Sequence, residues 1–300
     1  MSADSGVLAV CVNWNGRGVL GDTLAALAAN DYGRLNIWVV DNASLDGSLE
    51  EVPPQIRTLR LAHNGGYGAA INAAVQEASK GSNRPRYYLL INNDVVVKPD
   101  LVARLVKFAE GEGPGIFGPA VFRQGDPSRL DAAWGRLSWS HVLARYYGKG
   151  AEDGVRWQRT HRVELLLGCL LLVHSDVFDA IGLFDQGFFM YHEEVDFLYR
   201  AKRGGFPSYY CPFVQALHRG AHSTRDLPLQ KLFWVRRNAL YFIRKHRPGL
   251  GRWLYFWITA LLSFLFQMVV FRWGRGAVIL RALRAGMRME APPGGSRGER

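Results

Sequence analysis

Four times in the first hundred residues a strand-like run ends abruptly in asparagine or aspartate. The runs are VLAVCVNWN (7–15), NIWVVDNAS (36–44), the weaker IRTLRLAHNGGYG (56–68) and RYYLLINND (86–94). Helix-like stretches separate them. Leu20, Leu24, Leu27 and Ala28 fall at helical spacing, residues 69–78 read as a helix, and Pro99-Asp100 opens another through Lys107. Nearly unbroken apolar strands alternating with helices predict an α/β fold with a mostly parallel sheet flanked by helices. In such a sheet the carboxyl ends of the strands share one edge, where ligands bind. That edge gathers Asn13 and Asn15, Asp41 and Asn42, the turn from Asn64 to Gly68, and Asn92, Asn93 and Asp94.

The last of these ends is the most informative. In LLINNDVVV (89–97) hydrophobic chain resumes at once after Asp94, so the backbone stays in the interior. A carboxylate held there must be paired, hydrogen-bonded or bound to a metal, because an isolated buried charge is very costly. A plain turn is the competing reading, since Asn and Asp favour turns. Asp41 can accept from a nucleotide base or a ribose hydroxyl. Gly65 and Gly66 allow close approach of a ligand's phosphates, with Tyr67 against the base. No GxGxxG follows a strand and opens a helix, which argues against a dinucleotide fold.

The charge is unevenly placed. Residues 1–230 hold 23 Lys and Arg against 24 Asp and Glu, whereas residues 231–300 hold 14 against 2, so the formal net charge of +11 comes from the last quarter. That quarter also carries the longest apolar run. FWVRRNALYFIRKHRPGLGRW (233–253) reads as a basic amphipathic helix broken at Pro248-Gly249. WLYFWITALLSFLFQMVVF (253–271) follows, about 28 Å long if helical, against a hydrocarbon core of roughly 30 Å. Thr259, Ser263 and Gln267 mark it with a polar stripe, and arginines crowd both ends. A helix lying in the surface of an anionic membrane fits these features better than a simple span. Nucleic acid is not an expected partner. Residues 1–228 are read as the catalytic domain and 229–300 as membrane-associated helices with a disordered end. Three scattered cysteines and no secretory signal suggest a reducing compartment.

Residues 123–162 show no clear period and read as a variable insertion near a binding face. Their aromatics, Trp134 among them, suit either a core or a sugar-stacking surface. VELLLGCLLLVHSDVFDAIGLFD (163–185) reads as a strand interrupted by Gly168 and then a short helix. In GFFMYHEEVDFLYRAKRGGF (187–206), Glu193, Glu194 and Asp196 open a helix, and Asp196 and Arg200 stand at pairing distance.

VNWN, VVDNASLDGS, NGGYGAAIN, LLINNDVVV and GLFDQGFFMYHEEVDFLYR, in this order, closely resemble the family 2 inverting glycosyltransferases, nearest their rhamnosyltransferase-like branch. The resemblance covers about residues 7–225. It implies a GT-A fold, a divalent metal (Mg²⁺ or Mn²⁺) and a nucleoside-diphosphate sugar donor, with dTDP-rhamnose the first candidate. It places Asp94, in the position of the family's second DxD acid, as the metal-facing carboxylate. Asn13, Asn15, Asp41, Asn64, Gly65, Gly66, Tyr67, Asn92 and Asn93 fall on the donor side. Glu194 falls at the general base, where the usual Glu-Asp pair is Glu193-Glu194. His218 matches a further metal ligand, with His222 as the other candidate. Gly168, Trp134, Glu193 and His222 fall on the acceptor side. A membrane-bound site suggests a lipid-linked glycan acceptor at the cytoplasmic face of the cell membrane. The alternatives are a sugar nucleotidyltransferase, for which the loop after the first strand offers only Arg17, and a non-catalytic nucleotide-sugar-binding protein.

Overall fold

The computed structural model describes residues 6–81, 83–220 and 227–290. They form two compact units. The first runs to Arg136 and takes in Tyr146–Phe189 and the chain from Glu193 through the last strand; the second holds Leu137–Arg145, Met190–His192 and the C-terminal helices.

The first unit is a mixed α/β layer built on one large sheet. β1 (Val7–Asn13) lies between β2 (Leu35–Asp41) and β4 (Tyr87–Asn92), parallel to both, and β3 (Arg57–Arg60) adds a parallel edge. Every residue of β1 is buried, as expected of a strand covered on both faces. α1 (Leu20–Ala28), α2 (Tyr67–Ala78) and α3 (Leu101–Glu112) are the crossover helices between successive strands. The strand expected over 56–68 is therefore short: only Arg57–Arg60 pairs, and the glycine-rich turn passes directly into α2.

Beyond β4 the sheet becomes mixed. β11 (Leu170–His174) inserts antiparallel between β4 and β6 (Ile116–Arg123), and β12 (Ser208–His218) lies parallel to β6. β5 (Val95–Val97) and β10 (His161–Val163) pair with β12, and β7 (Asp126–Ala132) turns back on β6. Two three-residue strands, β8 (Gly135–Leu137) and β9 (Ala144–Tyr146), complete the order. The stretch 163–185 is thus not one interrupted strand. Gly168 and Cys169 make a turn, β11 starts at Leu170, and α4 (Ser175–Ile181) follows. The three cysteines are free and buried.

α5 (Glu193–Arg203) is fixed from its far end. Arg200 donates to Asp196 at 2.8 Å, to the carbonyl of Ile181 at 2.6 Å and to that of Leu183 at 2.9 Å. Phe197 stacks on Phe184 with ring centroids 4.2 Å apart. The Asp196–Arg200 pair is the one the i,i+4 spacing predicts, and its carboxylate is fully buried. Removing one partner of such a pair costs about 3–5 kcal/mol. Here it would also release the helix that carries Glu194.

The second unit is helical: α6 (Pro228–His246), α7 (Leu250–Val269) and α8 (Trp273–Arg288). The break between α6 and α7 falls at Arg247, Pro248 and Gly249, as the sequence indicates. Residues 291–300 lie outside the described residues.

Candidate active site

The carboxyl edge of the parallel strands gathers the polar strand ends, and it divides them into two sets. Asn13 is fully buried. Its amide donates to Asp41 Oδ1 at 3.0 Å and to Ser48 Oγ at 2.9 Å, and its carbonyl oxygen accepts from Asn93 at 2.8 Å. Asn93 also accepts Thr23 Oγ1–H on its backbone carbonyl at 2.8 Å. These side chains lock β1, β2 and β4 together. Asn13 and Asn93 thus bond the strand ends to one another. Asp41, nearly buried, is engaged by Asn13 and by the Ser44 backbone N–H.

The glycine turn receives a similar correction. Gly66 is buried at φ +87°, and a Cβ there would collide with the backbone of Phe189. Asn42 accepts from Gly65 N–H and donates to Gly66 carbonyl, and Asn64 accepts from Gly66 N–H. Close approach is what the glycines permit, but the group approached is the protein's own chain. Tyr67 likewise directs its hydroxyl to the Gly168 carbonyl at 2.9 Å and its ring edge to Phe184. The hydroxyl thus tethers the start of α2 to the Gly168 turn. Asn15, part-buried, joins the 42–46 loop through Ser44 and Leu45. Asn92 is part-buried at the end of β4.

Asp94 is buried, and it faces His218 at the end of β12, with Oδ1 3.4 Å from Nε2. The other ring nitrogen, Nδ1, lies 2.8 Å from Asp131 Oδ2. Burial alone lowers an imidazole's pKa, but the hydrogen bonds to Asp131 and Asp94 outweigh it and hold His218 up at about 9. Its bond to His218 in turn keeps Asp131 below the usual carboxylate range. Asp131 was not foreseen. It lies in β7, whose sequence DPSRLDA reads as polar loop; the hairpin with β6 brings it beside β12. His222, the other candidate, lies outside the described residues.

Glu194 opens α5 and is part-buried. A Cβ on Gly168 would lie 3.0 Å from Glu194 Cβ, so the glycine makes room for this side chain. Tyr146 donates its hydroxyl to Glu194 Oε1 at 3.0 Å; it too comes from the stretch without a clear period. The next residue, Cys169, accepts the Asn92 N–H on its carbonyl at 3.0 Å. One short turn therefore touches both the Asn92–Asp94 corner and Glu194, and the two acids stand on the same edge. Trp134 packs in a separate aromatic cluster with Tyr147 and His161.

Glu193 is buried, and its Oε2 has no hydrogen-bond partner. Burial, then the adjacent Glu194 charge, push its pKa well above the usual carboxyl value. The folded protein holds this proton to higher pH than the unfolded chain, which loses it near pH 4.5. Stability from this group is present below that pH and declines as pH rises toward the folded value. Glu193→Gln should therefore raise Tm relative to wild type, with a gain that grows from pH 5 to pH 8. Thermal melts across that range check it; a gain that shrinks with pH would show Glu193 to be ionised in the fold.

Comparison with known proteins decides the family. A model described as glycosyl transferase family 2 matches residues 9–165, just over half of the chain. The chain belongs to glycosyl transferase family 2. Among this glycosyltransferase's curated relatives is an N-acetylglucosaminyl-diphospho-decaprenol L-rhamnosyltransferase of Mycobacterium tuberculosis. It is 27% identical over 256 residues, covering 76% of this chain and 81% of the relative. The rhamnosyltransferase WbbL of Escherichia coli is 25% identical over 191 residues, covering 61% and 71%. In fold the chain is similar to GalNAc-T7, solved with UDP, GalNAc and Mn²⁺. The TM-score is 0.63 at 15% identity over 80% of this chain, which spans about half (48%) of that structure. Staphylococcus aureus TarS 1–349 with UDP-GlcNAc gives 0.53 at 13% identity, covering 82% and 68%. The GT-A fold and glycosyltransferase activity are thus as expected, and the nucleotidyltransferase alternative gives way.

Proposed function

We propose that this family 2 enzyme is an inverting hexosyltransferase of envelope glycan synthesis. It transfers L-rhamnose from dTDP-rhamnose to a lipid-linked glycan at the cytoplasmic face of the membrane. The observation that carries this reading is the pairing, on one sheet edge, of the Asp94–His218 corner with Glu194. The curated rhamnosyltransferases support the sugar and the lipid-linked acceptor.

A divalent cation, Mg²⁺ or Mn²⁺, suits that corner. Asp94 Oδ1 and His218 Nε2 converge, and Asp131 on Nδ1 is the carboxylate partner that orients a metal-binding imidazole. Among the described residues no group of three or more His, Cys, Asp or Glu side chains is arranged to hold a metal. Asp94 and His218 would therefore hold it as a pair. This suits a cation that takes one or two protein ligands and completes its shell with substrate phosphates. When bound, it stabilises negative charge on the departing nucleoside diphosphate.

The chain's own residues do the rest. Glu194, with one oxygen held by Tyr146, accepts the proton of the acceptor hydroxyl as that oxygen attacks the anomeric carbon. Attack from the face opposite the diphosphate inverts the centre. Glu193 is buried and its pKa is pushed upward by burial and by the Glu194 charge, so Glu194 is the member of the acidic pair suited to serve as the base.

The test is a donor panel at saturating Mg²⁺ or Mn²⁺ with a polyprenyl-diphosphate glycan acceptor, product stereochemistry read by NMR. dTDP-rhamnose should give transfer at least tenfold above UDP-glucose, UDP-galactofuranose and UDP-N-acetylglucosamine, and chelation should abolish it. Transfer with retention, or equal rates after chelation, overturns the mechanism; preference for another sugar overturns the donor assignment.

A further inference from the structure

The second unit contains a helix packed inside out. α7 is long and apolar enough to cross a membrane, yet only 11% of its apolar window is buried. Its polar residues face inward. Thr259 Oγ1 accepts the His141 backbone N–H at 3.1 Å, Ser263 Oγ lies 3.4 Å from Arg236 Nη2, and Arg236 closes the circuit on the His141 carbonyl at 2.8 Å. Gln267 Oε1 is also buried. The apolar residues face outward. Leu254, Ile258, Leu261, Leu265, Phe266 and Val269 are each between 46% and 73% exposed. At that spacing they form one continuous stripe along the helix. A helix that turns hydroxyls to its own unit and leucines away from it is not arranged for water.

Charge identifies what covers the stripe. Residues 227–289 contain twelve Lys and Arg and no Asp or Glu. Arg281, Arg284 and Arg288 on α8 line an open hollow of about 530 Å³ with Ala285 and Met289. A second copy of this surface would bring like charges together, whereas an anionic leaflet offers phosphates to the arginines and acyl chains to the stripe.

We propose that the outward face of α7, in a helical unit that also carries the α8 arginines, docks in the plane of an anionic phospholipid leaflet. It does not span. A spanning α7 would leave Arg236 and the His141 backbone without the hydroxyls of Ser263 and Thr259. This inference rests on the helical unit alone and holds whatever sugar the enzyme transfers.

The experiment uses the full chain with a C-terminal tag, added without detergent to preformed vesicles of phosphatidylcholine alone or mixed with 30% phosphatidylglycerol. Flotation should recover at least tenfold more protein on the anionic vesicles. Ile258→Glu/Leu265→Glu should remove binding to both. Arg281→Ala/Arg284→Ala should remove the preference for anionic lipid, which provides a second reading if the first variant fails to fold. Added protease should digest the tag fully on bound vesicles, because both ends of an in-plane helix stay outside. Three results overturn the proposal: a protected tag, unchanged flotation of both variants, and a wild-type dimer in light scattering that Ile258→Glu/Leu265→Glu converts to monomer without altering flotation.

Discussion

Glu194→Gln is expected to lower kcat for sugar transfer by about 10²–10⁴-fold, the usual contribution of a general base. Donor KM should change little. The substitution keeps the side chain's length and an oxygen for the Tyr146 hydroxyl, now 3.0 Å from Glu194 Oε1, and removes only the capacity to take a proton. An interaction made in the transition state alone lowers kcat and kcat/KM together. Glu193→Gln provides the contrast. Burial and the adjacent Glu194 charge push its pKa upward, so amide for acid should change stability with pH while leaving turnover within a few-fold. If Glu194→Gln turns over at the wild-type rate, or Glu193→Gln shows the larger loss, the base has been assigned to the wrong member of the pair.

Asp94→Ala should abolish detectable Mn²⁺ binding and, with it, transfer. Asp131→Asn should weaken the metal by about 10–100-fold, the range for partners that orient a ligating histidine. Both are measured by Mn²⁺ electron paramagnetic resonance in the presence of nucleoside diphosphate, independently of turnover. The pH dependence has a defined sign. In the metal-free protein His218 keeps its proton up to about 9, and an imidazolium cannot ligate. Metal binding below that pH therefore releases close to one proton, and affinity rises with pH up to about 9. Wild-type affinity that is flat from pH 6 to 9, or unchanged in Asp131→Asn, would remove His218 from the metal's shell.

The site was legible to different depths. Asp94 stands out because it interrupts a hydrophobic run, and such an interruption needs a reason in a packed interior; Glu194 and His218 were indicated by the family resemblance, since alone they read as a helix-start acid and a structural histidine. The Asp196–Arg200 pair follows from helical spacing alone. Asp131 left no such mark. Its neighbours read as loop, and its meeting with His218 depends on the β6–β7 hairpin, whose register shifts twice. Tyr146 was hidden in the same way, among aromatics that a sequence cannot sort into core and site. The glycine turn carried a signal of close approach, and the Phe189 backbone is a neighbour it admits; approach by a phosphate would demand the same missing side chain. Asn13 carried an equally open signal: an amide at a strand end serves a ligand or a neighbouring strand, and its bonds to Asp41, Ser48 and Asn93 could be seen only in the structure. The antiparallel entry of β11 was also invisible, because an apolar strand buried on both faces has no directional mark.

Gly168 and Cys169 give the cleft its gauge. One residue rests against Glu194 and the next is bonded to the end of β4, so a single peptide unit spaces Glu194 from the end of that strand. Lengthening this turn by even one residue is expected to shift Glu194 away from the end of β4. Tolerance of insertions should therefore be lowest here.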